Sequence, residues 1–196
     1  RRMVDEFSSF ARMPKPVFRE EALIDICRQA VFLHEVAHPS ISFTIDAPDP
    51  GLHLVCDRRQ LGQALTNLVK NAVEAVEAKA KGDGTINVSM KVDVDKIITL
   101  TVSDNGIGLP KERDRLAEPY MTTRERGTGL GLAIVKKIVE EHGGALGFAD
   151  REGGGTTIAL RFDSTGVPVE DTGDQAVSLG DTGVALPSAL TRSGDR

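Results

Sequence analysis

The sequence has little of three features that would define other classes of protein. Only two of its 196 residues are cysteines. Cys27 and Cys56 lie in apolar-periodic stretches, which favours buried, reduced thiols over a disulfide framework. No apolar run approaches the roughly 18 residues of a membrane span. Lysine and arginine number 24 against 29 acidic residues, so there is no general basic field for nucleic acid. Since the start has no signal-peptide pattern, we expect a cytoplasmic chain without nucleic-acid or membrane contact.

The remaining composition is that of an ordinary globular domain, with 40% hydrophobic and 27% charged residues. The length suits one α/β domain with flanking pieces. Apolar residues at helical spacing over residues 1–12 predict the end of a helix, which Pro14 and Pro16 stop. Because this helix opens without a capping residue, we expect it to be part of a longer helix.

Helical and strand patterns alternate between these prolines and residue 163. The spacing of apolar residues predicts helices over 19–37, 58–80 and 128–142. Alternation and turn signals predict strands over 41–46, 52–56, 85–94, 96–103, 145–149 and 156–162. Two of these helices have apolar stripes that are predicted to face the core. In the helix over 19–37 the stripe consists of Ala22, Leu23, Ile26, Ala30, Leu33 and Ala37, and in the helix over 58–80 it consists of Leu61, Leu65, Leu68, Ala72 and Val76.

Two segments lack steady periodicity. Residues 106–127 carry many charges, and we interpret them as a long mobile loop, a kind of segment that is usually functional in an ordered domain. Beyond Asp163 the residues Gly, Ser, Thr, Pro and Asp dominate. This composition predicts a flexible tail without a core of its own.

The strand that ends at Asp104 predicts a carboxylate at the end of an apolar face, because strand side chains alternate. A buried carboxylate is costly unless donors meet it, and the exocyclic amine of adenine is such a donor. Gly106 and Gly108 would let a flat base lie against the backbone. The alternative is that Asn105-Gly106 is only a hairpin turn, although a charged stretch follows it rather than a partner strand.

Asn67 and Asn71 are four residues apart and share one face of the predicted helix 58–80. Their neutral side-chain oxygens could complete an octahedral Mg²⁺ shell that consists mainly of phosphates and water. The alternative is that the two asparagines lie at the edge of a solvated helix face.

The run Gly127-Thr-Gly129-Leu-Gly131 opens a helix. The free amides and the dipole of a helix N-terminus attract phosphate, and glycines let phosphates approach closely. The spacing G-x-G-x-G differs from the Rossmann fingerprint, and the run lacks the Lys-Ser/Thr ending of a P-loop. We therefore interpret it as a phosphate-binding segment of another kind.

Polar residues flank this glycine run. Thr122, Thr123 and Arg124 come just before it. Arg124 could reach phosphate oxygens as the loop closes, or it could be a solvated surface charge. Thr156 follows a second glycine run, and its hydroxyl could lie near Asp104 or the residue could merely begin a strand.

The segment His34-Glu-Val-Ala-His38 fits the H-E-x-x-H signature of zinc peptidases. However, Pro39 ends the helix at once, and neither His53 nor His142 belongs to a motif that supplies a third ligand. We interpret His34 and His38 as structural or surface residues.

Taken in order, these motifs resemble the ATP-binding domain of sensor histidine kinases, in the wider gyrase/Hsp90/MutL ATP-binding superfamily. The resembling segments are Asn67–Asn71 (the N box), Asp104–Gly108 (G1), Glu118–Arg124 (F), Gly127–Gly131 (G2) and Gly153–Thr156. The amino-acid sequences of the F and G2 segments are most similar to those of NtrY-type nitrogen-regulation kinases.

The resemblance implies an α+β fold of the Bergerat type. This is a two-layer α/β sandwich whose mixed sheet is covered on one face by helices, with a long ATP lid. It also implies four parts of the chain: the end of a dimerisation helix (1–13), a linker (14–18), the ATP-binding catalytic domain (19–163) and a flexible tail (164–196).

The resemblance also implies the roles of single residues. Asn67 and Asn71 would be catalytic, Asn71 would bind Mg²⁺, and Asp104 would bind adenine. The implied nucleotide-binding residues are Asn67, Lys70, Asn71, Asp104, Gly106, Gly108, Thr122, Thr123, Arg124, Gly127, Thr128, Gly129, Leu130, Gly131 and Thr156.

Asn67 distinguishes the branches of the superfamily, because hydrolytic relatives carry a glutamate there as the general base. A neutral amide cannot take up a proton in that way, which favours phosphoryl transfer over ATP hydrolysis. The function implied is donation of the γ-phosphoryl of Mg·ATP to a histidine upstream of Arg1, for transfer to a response regulator. The full protein would be a homodimeric, membrane-anchored bacterial sensor. The alternatives are a non-catalytic ATP- or ADP-binding regulatory module and a stand-alone ATPase.

Overall fold

The computed structural model describes residues 13–79, 82–110, 116–119 and 129–165. Its helices are α1 (Leu23–Ala37), α2 (Arg58–Glu77) and α3 (Gly131–Glu141). Its strands are β1 (Arg19–Ala22), β2 (Ile41–Asp46), β3 (His53–Cys56), β4 (Gly84–Val92), β5 (Ile97–Asp104), β6 (Ala145–Asp150) and β7 (Thr156–Asp163). The predicted helix over 1–12 and all but the first two residues of the predicted tail (164–196) lie outside the described residues.

Five strands form one sheet in the order β2-β4-β5-β7-β6, and β1 pairs with β3 in a separate two-stranded sheet. The β2–β4 pair is parallel, whereas β4–β5, β5–β7 and β7–β6 are antiparallel. All three helices pack on strands or on one another around one hydrophobic core. The predicted α+β sandwich with a mixed sheet is confirmed.

Helix α2 lies between α1 and α3 and also contacts β4 and β5. Its N-cap is Asp57, whose Oδ1 accepts a hydrogen bond from the backbone N–H of Gln60 at 3.0 Å and so satisfies one free amide of the first turn. The predicted core stripe is buried and consists of Leu61, Leu65, Leu68, Ala72 and Val76. Because α2 is fixed by packing on three sides, its polar residues have defined positions.

The predicted helix over 19–37 ends at Ala37 as expected, but its start and the burial predicted for its last turns are wrong. Arg19–Ala22 forms β1, which pairs with the distant strand β3, and such non-local pairing overrides a local helical pattern. At the other end, Leu33 is 71% exposed and Ala37 is exposed. The last turns of α1 extend beyond the elements that cover its apolar face. The spacing of apolar residues along a helix does not show where those neighbouring elements end.

Residues before β1 lie against the N-terminal end of α2. The side-chain amide of Gln60 donates to the Pro14 carbonyl at 2.7 Å, and the backbone N–H of Val17 donates to Asp57 Oδ2 at 2.8 Å. The ring of Phe18 meets the edge of His142 at a centroid distance of 5.1 Å. The segment that enters the domain is therefore held by specific contacts.

His142 lies at the C-terminal end of α3 and is held in one neutral form. Its Nε2 accepts from the backbone N–H of Asp57 at 3.0 Å, so Nδ1 carries the hydrogen and donates to the Ile138 carbonyl at 2.7 Å. Burial lowers the pKa of His142 from its ordinary 6.5, against smaller raising effects of Ile138, Asp57 and Glu141. Protonation would place a hydrogen where the Asp57 N–H now donates.

This arrangement predicts a loss of stability in mild acid. Below pH 6.5, the ordinary pKa, the unfolded chain binds a proton at His142, while the folded chain resists protonation down to its lowered pKa. As the pH is lowered from about 6.5 towards the lowered pKa of His142, the free energy of unfolding should therefore decrease. His142→Gln should cost about 1–3 kcal/mol near neutral pH, because it leaves a buried amide unpaired, and should flatten the pH dependence. Urea unfolding from about pH 7.5 to 5.5 checks this, with His53→Gln at an exposed histidine as control. An equally steep profile for His142→Gln would contradict the assignment.

None of the described helices is long and apolar enough to cross a membrane.

Candidate nucleotide-binding site

Asp104 is the last residue of β5 and lies on the buried face of the sheet, as the alternation predicts. Asp104 is only 4% exposed, and its Oδ1 accepts a hydrogen bond from the backbone N–H of Gly106 at 2.8 Å. In the sheet, Asp104 is directly opposite Thr156 of β7, which is also buried. The structure therefore brings these two predicted residues together at one end of the central strands.

The loop after Asp104 is pressed against helix α2. A Cβ atom added to Gly106 would lie 2.4 Å from the carbonyl carbon of Ala75, and the N–H of Ile107 donates to the Ala75 carbonyl at 3.1 Å. The hairpin interpretation of Asn105-Gly106 is wrong, because β5 already has β4 and β7 as neighbours on its two sides. Gly106 is required here by close packing and not by a turn type.

Gly155 is a residue of this site that the sequence-based interpretation did not single out. Its φ is +107°, and an added Cβ would lie 1.9 Å from the backbone oxygen of Asp104 and 2.7 Å from the Cα of Asn105. The available signal was the run of three glycines just before Thr156. The chain after β6 thus passes so close to the end of β5 that only glycine fits.

The predicted metal-binding residue and the glycine-rich helix entrance meet one turn earlier on α2, at Asn71. A Cβ added to Gly131 would lie 3.9 Å from both Oδ1 and Nδ2 of Asn71. Gly131 is the first residue of α3, and Leu130 before it is fully buried and provides no side-chain cap. The positive end of the helix dipole therefore lies beside the side-chain amide of Asn71.

Asn67 and Lys70 precede Asn71 on the same helix. Asn67 Nδ2 is buried and has no hydrogen-bond partner among the residues that the structure describes, a costly arrangement that a bound group could relieve. Lys70 is half-exposed, with Nζ 4.0 Å from the carboxylate of Glu74 one turn along. At this distance and exposure the pair contributes little to stability.

The remaining predicted residues divide into two groups. Gly108 lies in the loop after Asp104, and Gly129 lies two residues before α3. Their φ values of +81° and +68° favour glycine. The residues Thr122, Thr123, Arg124, Gly127 and Thr128 lie outside the described residues, and their roles stay predictions.

The H-E-x-x-H histidines lie on α1 in a different environment. Their rings stack at a centroid distance of 6.2 Å, and His38 Nδ1 is 3.1 Å from the carboxylate of Glu77 on α2. Burial lowers the pKa of His34, and the neighbouring His38 and Lys70 lower it further. Across the described part of the chain, no three His, Cys, Asp or Glu side chains are grouped to hold a metal ion.

The site therefore has two chemically different ends that share helix α2. One end has a buried carboxylate next to close-packed backbone, which suits a flat ring with a hydrogen-bond donor. The other has neutral amides and a helix N-terminus, which suit phosphate and a hard cation. The distribution matches a nucleoside phosphate better than a small uncharged ligand.

Comparison with known proteins shows the family. Residues 56–166 match the family model of histidine kinase-, DNA gyrase B- and HSP90-like ATPases. The chain belongs to this family. The catalytic domain of the histidine kinase ThkA, solved without nucleotide, is 31% identical, with a TM-score of 0.67 over 76% of this chain and 98% of that domain. Within the family, the fold is therefore that of a histidine kinase catalytic domain.

Longer proteins are also similar. Nitrogen regulation protein NtrY of Azorhizobium caulinodans is 52% identical over 176 residues, which are 87% of this chain and 23% of that protein. Full-length ShkA in complex with AMPPNP has a TM-score of 0.72 at 26% identity, over 86% of this chain and 37% of ShkA. ThkA in complex with the response regulator TrrA has a TM-score of 0.71 at 27% identity, over 84% of this chain and 47% of ThkA. The chain spans about a quarter of the length of the curated relatives.

Proposed function

We propose that this domain binds Mg·ATP and donates the γ-phosphoryl group to a histidine on a dimerisation helix that precedes it in the full protein. The observation that carries the proposal is the arrangement around α2, with Asp104 at one end and Asn71 beside Gly131 at the other. Kinase chemistry needs a nucleotide held at both ends so that only the terminal phosphoryl group is presented, and positioning of this kind is the main contribution of such enzymes.

Asp104 would recognise the base. A buried carboxylate gains most from a donor that arrives without water, and the exocyclic amine of adenine is such a donor. Oδ1 already accepts from Gly106, which fixes the plane of the carboxylate, and a carboxylate has capacity for further donors. Guanine and hypoxanthine present an oxygen in place of the amine, so the same group would reject them.

Asn71 would hold the metal and the phosphates with the start of α3. Its amide oxygen is a neutral hard ligand of the kind that Mg²⁺ accepts alongside phosphate oxygens and water, and the space next to Gly131 is one that a side chain would fill. The residues therefore fit this cofactor. Bound Mg²⁺ would neutralise the charge of the transferred group. Gly127, Gly129 and Gly131 would let the phosphates approach the backbone, and Thr122, Thr123 and Arg124 would bind the phosphates.

Asn67 favours transfer over hydrolysis. Its neutral amide cannot act as the general base that would activate water. Nδ2, which has no partner within the described part of the chain, is a donor that could orient an oxygen of the nucleotide. Lys70, one turn away on an exposed position, would add positive charge near the phosphates.

The wider biological setting is part of the same proposal. The full protein would be a homodimeric, membrane-anchored sensor with this domain on its cytoplasmic side. The complex of the histidine kinase ThkA with the response regulator TrrA supports a response regulator as its partner, and that partner would receive the phosphoryl group.

Phosphotransfer in trans tests the proposal. The domain is mixed with γ-labelled ATP and a separate peptide dimer that carries the segment preceding Arg1 in the full protein. We expect acid-labile label on that segment, dependent on Mg²⁺, and none on the domain alone. Asn71→Ala should lower the rate at least about 100-fold, since it removes metal positioning. The matched control is Asn87→Ala, at a half-buried strand residue whose side-chain amide donates to Thr44 Oγ1 at 2.8 Å.

Two outcomes would contradict the proposal in different ways. Steady release of phosphate that Asn67→Ala abolishes would indicate a stand-alone ATPase. Nucleotide binding without any labelled histidine would indicate a non-catalytic binding module.

A further inference from the structure

Asn105 follows the adenine-binding candidate Asp104 but directs its side chain away from it. Its Oδ1 accepts a hydrogen bond from the backbone N–H of Thr85 at 2.9 Å, and its Nδ2 donates to the Asp83 carbonyl at 2.7 Å. Thr85 is the second residue of β4, and Asp83 comes directly before that strand. The oxygen of the amide is thus bonded to the neighbouring strand, and its nitrogen to the residue just before that strand.

The backbone of Asn105 makes two further hydrogen bonds. Its N–H donates to the Thr85 carbonyl at 3.2 Å, and its carbonyl accepts from Nζ of Lys79, just after the end of α2, at 2.7 Å. One residue is therefore tied to β4, to the turn before it and to the end of α2. The contacts come from three separate parts of the chain and converge on the residue after Asp104.

The pattern of these bonds explains how β5 ends. Asp104 is opposite Ile86, so Asn105 is opposite Thr85. Two residues that face each other at a hydrogen-bonded position of an antiparallel pair normally exchange both N–H···O=C bonds. Here one bond is normal, but the Thr85 N–H is met by the side-chain Oδ1 of Asn105 in place of its backbone carbonyl.

Because the side-chain oxygen of Asn105 takes the place of its backbone carbonyl, the main chain can leave the sheet at this residue. The side chain accepts the last hydrogen bond between β4 and β5. The backbone carbonyl of Asn105 can therefore turn out of the sheet towards Lys79 without leaving the Thr85 amide unpaired. The chain then bends so that the Gly106 N–H reaches Asp104 Oδ1 at 2.8 Å. The orientation of the Asp104 carboxylate therefore depends on where Asn105 ends the strand.

We propose that Asn105 is a positioning residue that sets the Asp104 carboxylate for recognition of the adenine amine. It acts through Asp104 and Gly106 and does not touch the base. The inference rests on the proposed function, since it concerns the same nucleotide site. Asparagine suits the position because one short side chain supplies both the acceptor for Thr85 and the donor for Asp83. Alanine supplies neither, and aspartate would place an oxygen against the Asp83 carbonyl.

Base selectivity distinguishes positioning from a merely structural role. The dissociation constants of ADP and of inosine 5′-diphosphate, which has an oxygen in place of the amine, are measured by calorimetry or by displacement of a fluorescent ADP. In Asn105→Ala we expect ADP affinity to fall about 10-fold or more with little change for the inosine nucleotide, so that the ratio of the two constants collapses. Asn105→Asp keeps the acceptor for Thr85 and should lose only part of the selectivity. Asn87→Ala, at the same residue type two positions beyond Thr85 on β4, should keep the parent ratio.

The outcomes separate this inference from the proposed function. Equal losses for both nucleotides, or an unchanged ratio in both Asn105 variants, would overturn the positioning role while leaving the ATP site intact. If the parent chain itself binds ADP and the inosine nucleotide equally, base recognition by Asp104 fails, and the positioning role fails with it. If Asn105→Ala does not fold, Asn105→Asp provides the ratio that decides.

Discussion

Replacing Asp104 with asparagine is expected to weaken ATP binding by about 100-fold, or roughly 2.7 kcal/mol. The replacement keeps the size of the side chain and an oxygen for the Gly106 N–H. It removes the charge and places an amide hydrogen where the adenine amine would donate, so two donors would face each other in a buried space. Asp104→Ala is expected to lose binding as well, because no acceptor remains.

The fold should survive both changes at Asp104. The carboxylate is buried, and a buried charge is not a source of net stability unless it is fully compensated. The apo protein should therefore keep its melting temperature to within a few degrees in the asparagine variant. Calorimetric titration with ATP checks the prediction, and Asp46→Asn, at an exposed carboxylate that ends β2, is the matched control. An unchanged affinity in Asp104→Ala would exclude the role of Asp104 in binding the base.

Among glycine-to-alanine substitutions in the described part of the chain, Gly155→Ala is expected to be the most destabilising. The added Cβ would lie 1.9 Å from the Asp104 oxygen, and that oxygen belongs to the backbone and cannot rotate away. A φ of +107° adds strain of about 1–3 kcal/mol for any residue with a side chain. Together we expect a loss of about 4 kcal/mol or more in the free energy of unfolding, with loss of nucleotide binding because the end of β5 must move.

Gly154→Ala separates the two causes of that loss. Gly154 has a similar φ of +99°, but an added Cβ would meet nothing within 4 Å. It should show only the cost of strain, about 1–3 kcal/mol. Urea unfolding of the parent and both variants gives the comparison. Equal destabilisation of Gly154→Ala and Gly155→Ala would show that the close approach to Asp104 does not determine the stability of this corner.

Local patterns were sufficient for the parts of the molecule that local physics determines. The two-residue period of β5 placed Asp104 on the buried face, and the spacing of Leu61, Leu65 and Leu68 gave the buried side of α2. In both cases one element faces one core, so the period of the element decides the direction of each side chain. The fold class followed because the order of the motifs resembles one family.

Contacts between distant parts of the chain were not predictable in the same way. β1 depends on its pairing with β3, and the exposure of Leu33 depends on where the layer beside α1 ends. Asn105 looked like half of a turn motif because its partners, Thr85 and Asp83, come from an earlier strand and turn. No periodicity within a segment contains information about such partners.

The cap of α2 has a consequence for modularity. Asp57 binds the entering chain at Val17, begins the helix that carries Asn71, and donates to His142 at the far end of the helix that starts with Gly131. The entering segment is thus joined to both helices of the nucleotide site. In a chimeric kinase that exchanges the input module, the junction belongs upstream of Met13, because a boundary after Val17 would separate the catalytic domain from part of its own support.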